Sequence, residues 1–281
     1  MAGMSGGIVA GYDGSPGSDE ALHWAAWEAA ARATALTVCH AWAPEYLALI
    51  GDPAVCELAR KHGNEVLARG VRYATSVLDD VRPVLADGPP APVLCERSRT
   101  AEMVVVGARG HGGLTGAPLG SVSWQVAGHA QGCVVVVRGQ WLPVNRSPGP
   151  VTVGVDGSPA SRAALTVAFG EASLRAVPLV AVCALADSPG RLGGARQMEE
   201  DFSHLMTIHE KEYSEVTVMR QVAVGSPRSA LLTAAAEAQL LVLGSRGLGG
   251  LAGMHLGSVV AAMLHHSPCP VAVVHPDARR S

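Results

Sequence analysis

Short apolar runs alternate with longer alanine-rich or amphipathic stretches along this chain, and the alternation occurs twice. Ile8-Val9-Ala10 leads into Asp13-Gly14-Ser15-Pro16, and Val151-Thr152-Val153 leads, at a constant offset, into Asp156-Gly157-Ser158-Pro159. Each run reads as a short buried strand. The serine stands where a helix N-cap belongs, and the proline at the first helical position, where a missing N–H costs nothing. Residues 18–33 and 161–176 continue as helices, with Leu22, Ala26, Ala29 and Ala33 on one face, and Leu36–Trp42 and Leu179–Leu185 follow as second buried strands.

The pattern then repeats its second half. Charged helical stretches at about 55–77 and 197–213 lead to short strands at 82–86 and 217–223, and helices at 91–101 and 228–238 restore the register. Fourth strands at 103–106 and 240–243 run into glycine-rich loops, helices at 120–129 and 257–266 follow, and strands at 134–137 and 271–274 close each half. Alternating strands and helices of this kind predict an α/β fold in which a parallel sheet is wrapped by helices, with a ligand crevice at the C-terminal strand ends. Residues 139–150 hold three prolines and no periodicity and read as a linker, which divides the chain into domains at 1-140 and 148-281.

Composition agrees with two well-buried domains: 281 residues, 48% hydrophobic and 16% charged, argue against disorder. A formal charge of −3 without a Lys/Arg run offers no field for a nucleic-acid backbone, so no nucleic acid is expected as a partner. Six scattered cysteines without a C-x-x-C pair read as reduced thiols, and they point to the cytoplasm. The first residues carry no signal-peptide pattern, and no apolar run reaches the roughly 18–20 residues of a membrane span.

One spaced motif carries the candidate chemistry. Gly107, Gly110, Gly120 and Ser121 recur as Gly244, Gly247, Gly257 and Ser258, each set following a strand and opening a helix. Glycines placed so let main-chain N–H groups close around an anion at a helix start. Asp13 and Asp156 end the first strands, so a sheet with the first and fourth strands adjacent brings a carboxylate to the same crevice, where it can take ribose hydroxyls or a base edge. Asp13 and Asp156 can equally serve as turn formers, and Ser121 and Ser258 as helix caps or phosphate ligands. Arg109 and Arg246 lie inside the loops, where each can meet a phosphate or solvent. His111 has Leu248 as its counterpart and reads as a solvent-facing loop histidine, and no histidine shows metal-ligand spacing, so no structural zinc is expected. A lysine P-loop, a G-x-S-x-G elbow and a kinase loop set are all missing from the sequence. Trp24, Trp27 and Trp42 read as core or interface filler.

The G-x-D-G-S-P starts, the G-A-R-G and G-S-R-G turns and the L-G-S-V helix entries resemble those of the universal stress protein family, in its tandem two-domain form, over nearly the whole chain. The resemblance implies two tandem Rossmann-like (adenine nucleotide alpha hydrolase-like) domains, each a five-stranded parallel sheet flanked by helices. It implies ATP as ligand, with Mg²⁺, and pairing through sheet edges, within the chain and as a homodimer. Carried over residue by residue, Asp13 and Asp156 contact the nucleoside, and Ala41 and Ala184 line the adenine pocket. Gly107, Arg109, Gly110, Gly120, Ser121, Val122 and Ser123 surround ribose and phosphates in the first site, matched by Gly244, Arg246, Gly247, Gly257, Ser258 and Val259 in the second. Val260 stands where Ser123 offers a hydroxyl, which predicts a weaker second site by about 1 kcal/mol.

The expected function is therefore that of a cytoplasmic, ATP-binding stress-response or regulatory protein with no catalytic residues of its own, at most a weak ATPase. Two rivals follow from the same residues. One is a slow ATP hydrolase or adenylyl-transfer enzyme using His111; the other is an interaction scaffold without nucleotide.

Overall fold

A computed structural model describes residues 6–42, 53–111, 119–138, 149–185, 192–248 and 255–276. The chain divides into two compact units, Met1–Asn145 and Arg146–Ser281. In the first, β1 (Ile8–Gly11), α1 (Pro16–Arg32), β2 (Leu36–Trp42), α2 (Pro53–Ala74), β3 (Val81–Asp87), α3 (Pro90–Arg97), β4 (Met103–Gly107), α4 (Ser121–His129) and β5 (Cys133–Val137) alternate as the apolar pattern predicts. The second carries β6 (Val151–Val155), α5 (Pro159–Arg175), β7 (Leu179–Leu185), α6 (Leu192–Glu212), β8 (Val218–Val224), α7 (Pro227–Ala235), β9 (Leu240–Gly244), α8 (Ser258–His266) and β10 (Val271–Val274). Residues 139–148 of the expected linker lie outside the described residues.

Within each unit every strand pair is parallel, in the order β3-β2-β1-β4-β5 in the first and β8-β7-β6-β9-β10 in the second. The central strands are buried on both faces, which is why they read as continuous runs such as Val104-Val105-Val106 and Leu241-Val242-Leu243 and not as an alternation. β3 and β8, at one end of each order, are half exposed. β3 is interrupted by the exposed Pro83, whereas β8 holds no proline and leaves Met219, Val222 and Val224 open to solvent.

The helix starts form as the D-G-S-P turns dictate. The Ser15 hydroxyl accepts the Ser18 N–H at 3.3 Å and the Ser158 hydroxyl that of Ser161 at 3.2 Å, with proline directly following each cap. Leu22, Ala26 and Ala29 face the core as expected. Ala33 does not: it and Ala176 are left-handed C-caps, at φ 51° and 52°, and Ala33 is exposed. The third helix of each unit also stops short of the expected 101 and 238, at Arg97 and Ala235. In the first unit Ser98 ends it by donating its hydroxyl to the Cys95 carbonyl while accepting the Gln131 N–H.

A repeated ion pair fixes the far end of the first helix. Glu28 and Glu171 are fully buried and meet Arg32 and Arg175 four residues on, at 2.7 and 2.9 Å. Arg32 also reaches Glu102 and Arg175 also reaches Gln239, the residues just ahead of β4 and β9. A buried carboxylate needs such a partner, and here the partner also ties helix to sheet.

Candidate functional site

Because β1 pairs with β4, the turn after β1 and the loop after β4 meet at one rim of the first sheet. Asp13 stands in the gap between them. Its Oδ1 accepts the Ser15 N–H at 3.0 Å and the Ser15 hydroxyl at 2.5 Å, and its Oδ2 accepts the N–H of His111 at 3.1 Å. Burial pushes the Asp13 carboxyl upward, but the bonds from Ser15, Ser18 and His111 outweigh it and hold the group below the ordinary carboxylate range. The second unit repeats the brace: Asp156 accepts the Ser158 N–H at 3.0 Å on Oδ1 and the Leu248 N–H at 3.0 Å on Oδ2. Position 111 and its counterpart 248 thus serve through the main chain, whatever their side chains.

The glycines fall into three kinds, separated by what a Cβ would meet. At Gly107 it would run into the backbone of Gly17 and Ser18, and at Gly244 into that of Ala160 and Ser161. These two let the start of the first helix lie directly on the end of the fourth strand. A Cβ at either position would therefore first break a contact of folding. At Gly110 and Gly247 a Cβ would collide with the Oδ2 of Asp13 or Asp156. At Gly120 and Gly257 the nearest atoms are 3.4 Å and 3.6 Å away, on the loop backbone around Arg109-Gly110 and Arg246-Gly247.

Gly120 and Gly257 are themselves the N-caps of α4 and α8, and among the described residues no side chain caps either helix. Ser121 and Ser258 come one position later, exposed at the first helical residue, so of the two roles open to them, cap or phosphate ligand, capping falls away. The first N–H groups of a helix have no partner within it. In α1 and α5 a serine answers one of them; α3 and α7 also lack a side-chain cap, but a proline at their start removes a donor. Among the described residues, the α4 and α8 starts keep theirs, facing the rim. The Ser123 hydroxyl, expected as a phosphate donor, is buried and donates to the Gly107 carbonyl at 2.6 Å, so its single proton is spent inside the unit. Val260 is buried at the matching place.

Around these groups the first unit has a cavity of about 140 Å³. Every residue expected at the first site lines it, from Asp13 and Ala41 through Gly107, Arg109 and Gly110 to the stretch 120–123. Tyr12, His40, Pro90 and Leu94 line it too and were not anticipated. Pro90 and Leu94 carry no motif, since a helix packed beside a strand end is a tertiary fact. His40 directly precedes Ala41, and its Nδ1 lies 2.7 Å from the Tyr12 carbonyl oxygen. In the second unit Asp156 follows β6, Ala184 is half-buried near the end of β7, Gly244 ends β9, and Arg246 and Gly247 are exposed in the loop. There the Ser158 hydroxyl donates to the Arg246 carbonyl at 3.2 Å, and Val259 is half-buried in the first turn of α8. Among the described residues no group of three or more His, Cys, Asp or Glu could hold a metal ion, and no helix is long and apolar enough to cross a membrane.

Comparison with known proteins bears on the family and the fold. The model of the universal stress protein family matches twice, over residues 4–138 and 149–275. A universal stress protein of Mycobacterium tuberculosis H37Rv is 38% identical over 289 residues, spanning 95% of this chain and 96% of its own. One from Mycolicibacterium smegmatis is 35% identical over 286 residues, spanning 96% of this chain and 97% of its own. The crystal structure of a universal stress protein from Archaeoglobus fulgidus shares the fold with a TM-score of 0.75 at 21% identity, covering 98% of this chain and 97% of that one. Two copies of one motif-bearing Rossmann-like unit and relatives of matching length lead to one assignment: the chain belongs to the universal stress protein family, as a tandem member.

Proposed function

We propose that each unit binds ATP at the rim between its first and fourth strands, and that the chain is a nucleotide-dependent regulatory or stress-response protein, not a fast enzyme. The observation that carries this reading is the uncapped start of α4 facing a cavity that Asp13 and the glycine loop also line. Main-chain N–H groups of 121–123 and the loop would take the phosphates, the Asp13 side would take the sugar or base, and Ala41 with Leu94 would offer the apolar surface an adenine ring needs. Asp156, Ala184, Arg246, Gly247, Gly257, Ser258 and Val259 would do the same in the second unit. Mg²⁺ would enter on the phosphates and keep most of its water, the usual way this ion binds where carboxylates are few.

Against the enzyme reading, the contribution of position 111 is a main-chain N–H that Leu248 supplies equally well in the second unit. A cytoplasmic location and association into a homodimer belong to the same proposal, and sedimentation with and without ATP tests the latter.

The test is isothermal calorimetry of ATP on Gly120→Val and Gly257→Val. Both positions have extended backbone, φ −80° and −70°, that valine adopts freely. Each variant should lose one binding step, weakened about a hundredfold by side-chain bulk over the N–H cradle. Undiminished binding in both would remove these sites from the reading.

A further inference from the structure

One carbonyl beside each aspartate is held by a guanidinium, and the two guanidinia come from places the repeat does not relate. In the first unit Arg69, on α2, donates from Nη2 to the Gly14 carbonyl at 2.8 Å. In the second, Arg162, in the first turns of α5, donates from Nε to the Gly157 carbonyl at 3.2 Å. The residue that matches Arg162 in the first unit is Asp19, so copying of one ancestral side chain does not account for the contact.

What the contact orients follows from peptide geometry. The Gly14 carbonyl and the Ser15 N–H belong to one planar peptide group, so fixing one end fixes the other. That N–H donates to Asp13 Oδ1 at 3.0 Å, and the same relation links Gly157, Ser158 and Asp156. Gly14 and Gly157 have left-handed backbone, φ 79° and 81°, and without a side chain the plane has little else to hold it. The line of contact therefore runs from guanidinium to peptide plane to carboxylate, and on through Oδ2 to the glycine loop. In the first unit the clamp has a second point: Arg69 Nε donates to the Tyr12 hydroxyl at 3.1 Å, and that hydroxyl donates to Asp19 at 2.7 Å. Val155 replaces Tyr12 in the second unit, leaving a one-point clamp.

We infer that Arg69 and Arg162 are positioning residues, each setting the aspartate of its unit for ligand by orienting the peptide plane that follows it. The step from aspartate to nucleotide rests on the function proposed above; the step from arginine to aspartate does not, and the experiment separates them.

On the full chain without ligand, the Asp13 carboxyl carbon is titrated by NMR in the parent, Arg69→Met and Arg69→Lys. A weakened Ser15 N–H bond raises its midpoint in Arg69→Met. The midpoint stays raised in Arg69→Lys, whose ammonium keeps the charge but lacks the planar fork that spans the Gly14 carbonyl and the Tyr12 hydroxyl. A midpoint unmoved in Arg69→Met, or fully restored in Arg69→Lys, overturns the inference, the latter because charge alone then suffices. In the second unit, Arg162→Met should speed hydrogen exchange at the Ser158 amide, and unchanged exchange overturns the inference there.

Calorimetry with ATP is then made in the Gly257→Val background. It should show first-site binding about tenfold weaker in Arg69→Met, the loss expected of one charge-assisted bond. An unchanged Kd there, with Asp13→Asn weakened, overturns the positioning role. Where the titration responds and Asp13→Asn binds ATP as tightly as the parent, the nucleotide reading fails and the clamp stands.

Discussion

Asp13 and His111 are 98 residues apart in the chain and meet at 3.1 Å, carboxylate oxygen to main-chain N–H. The bond closes the turn after β1 onto the loop after β4, and Asp156 and Leu248 repeat it at 3.0 Å. A single side chain thus settles where the loop lies before any ligand arrives, and the loop's own glycine, Gly110 or Gly247, has no room for a Cβ because that oxygen occupies the space.

Gly107→Ala and Gly244→Ala should destabilise folding, not merely weaken a ligand. The added carbon meets main chain of the neighbouring helix start, which cannot rotate away. A loss of about 3 kcal/mol is expected for each by urea denaturation without nucleotide, near the upper end of overpacking costs. A variant with parental stability that has lost only ATP binding would show that the glycine serves the ligand after all.

The glycine pair also shows where reading the chain succeeds and stops. The D-G-S-P turns and apolar periods locate every strand to within a residue or two, because burial on both faces and an N-cap are local demands that leave local marks. The glycine spacing likewise marks the rim. Why Gly107 must be glycine is another matter, since the obstacle is Gly17, ninety positions away and brought near only by the β1–β4 pairing. Ser121 fails for a subtler reason: a glycine N-cap and a serine at the first helical position look the same in sequence as a serine cap displaced by one. Arg69 bears no mark at all, for a side chain that reaches another element's carbonyl obeys no spacing rule.

Arg175→Met should cost about 3–5 kcal/mol, because it takes the guanidinium from a carboxylate, Glu171, that has no access to water. The double variant Arg175→Met with Glu171→Leu should recover much of that loss, since two apolar side chains of similar size fill the same space. Chemical denaturation of the single and double variants measures both. Equal losses in the two would mean that shape, not charge, is what the pair supplies.

Acid should loosen both units through one histidine each. The His23 ring lies tilted 3.9 Å from that of Tyr73, and the His209 ring stacks 5.3 Å from that of Phe169; in both, Nδ1 is buried and has no hydrogen-bond partner among the described residues. Burial lowers both histidines from the ordinary value of 6.5, against a smaller opposing pull from Asp19 or Glu212. The unfolded chain therefore takes up the proton first, and stability falls as the pH drops from 6.5 toward the lowered native value. His23→Gln and His209→Gln should each flatten the slope of unfolding free energy against pH in that window. A slope unchanged in both would assign the acid sensitivity elsewhere.

The exposed proline of β3 has a consequence for how the protein behaves in a crowded solution. An outer strand offers a row of main-chain donors and acceptors to any extended peptide, and Pro83 breaks that row in the first half of the molecule. In the second half, β8 runs unbroken from Val218 to Val224 with apolar side chains outward. Unwanted stacking of molecules, when it comes on concentration or heating, will start from the second half, and a proline or lysine placed there is the economical way to keep the protein in solution.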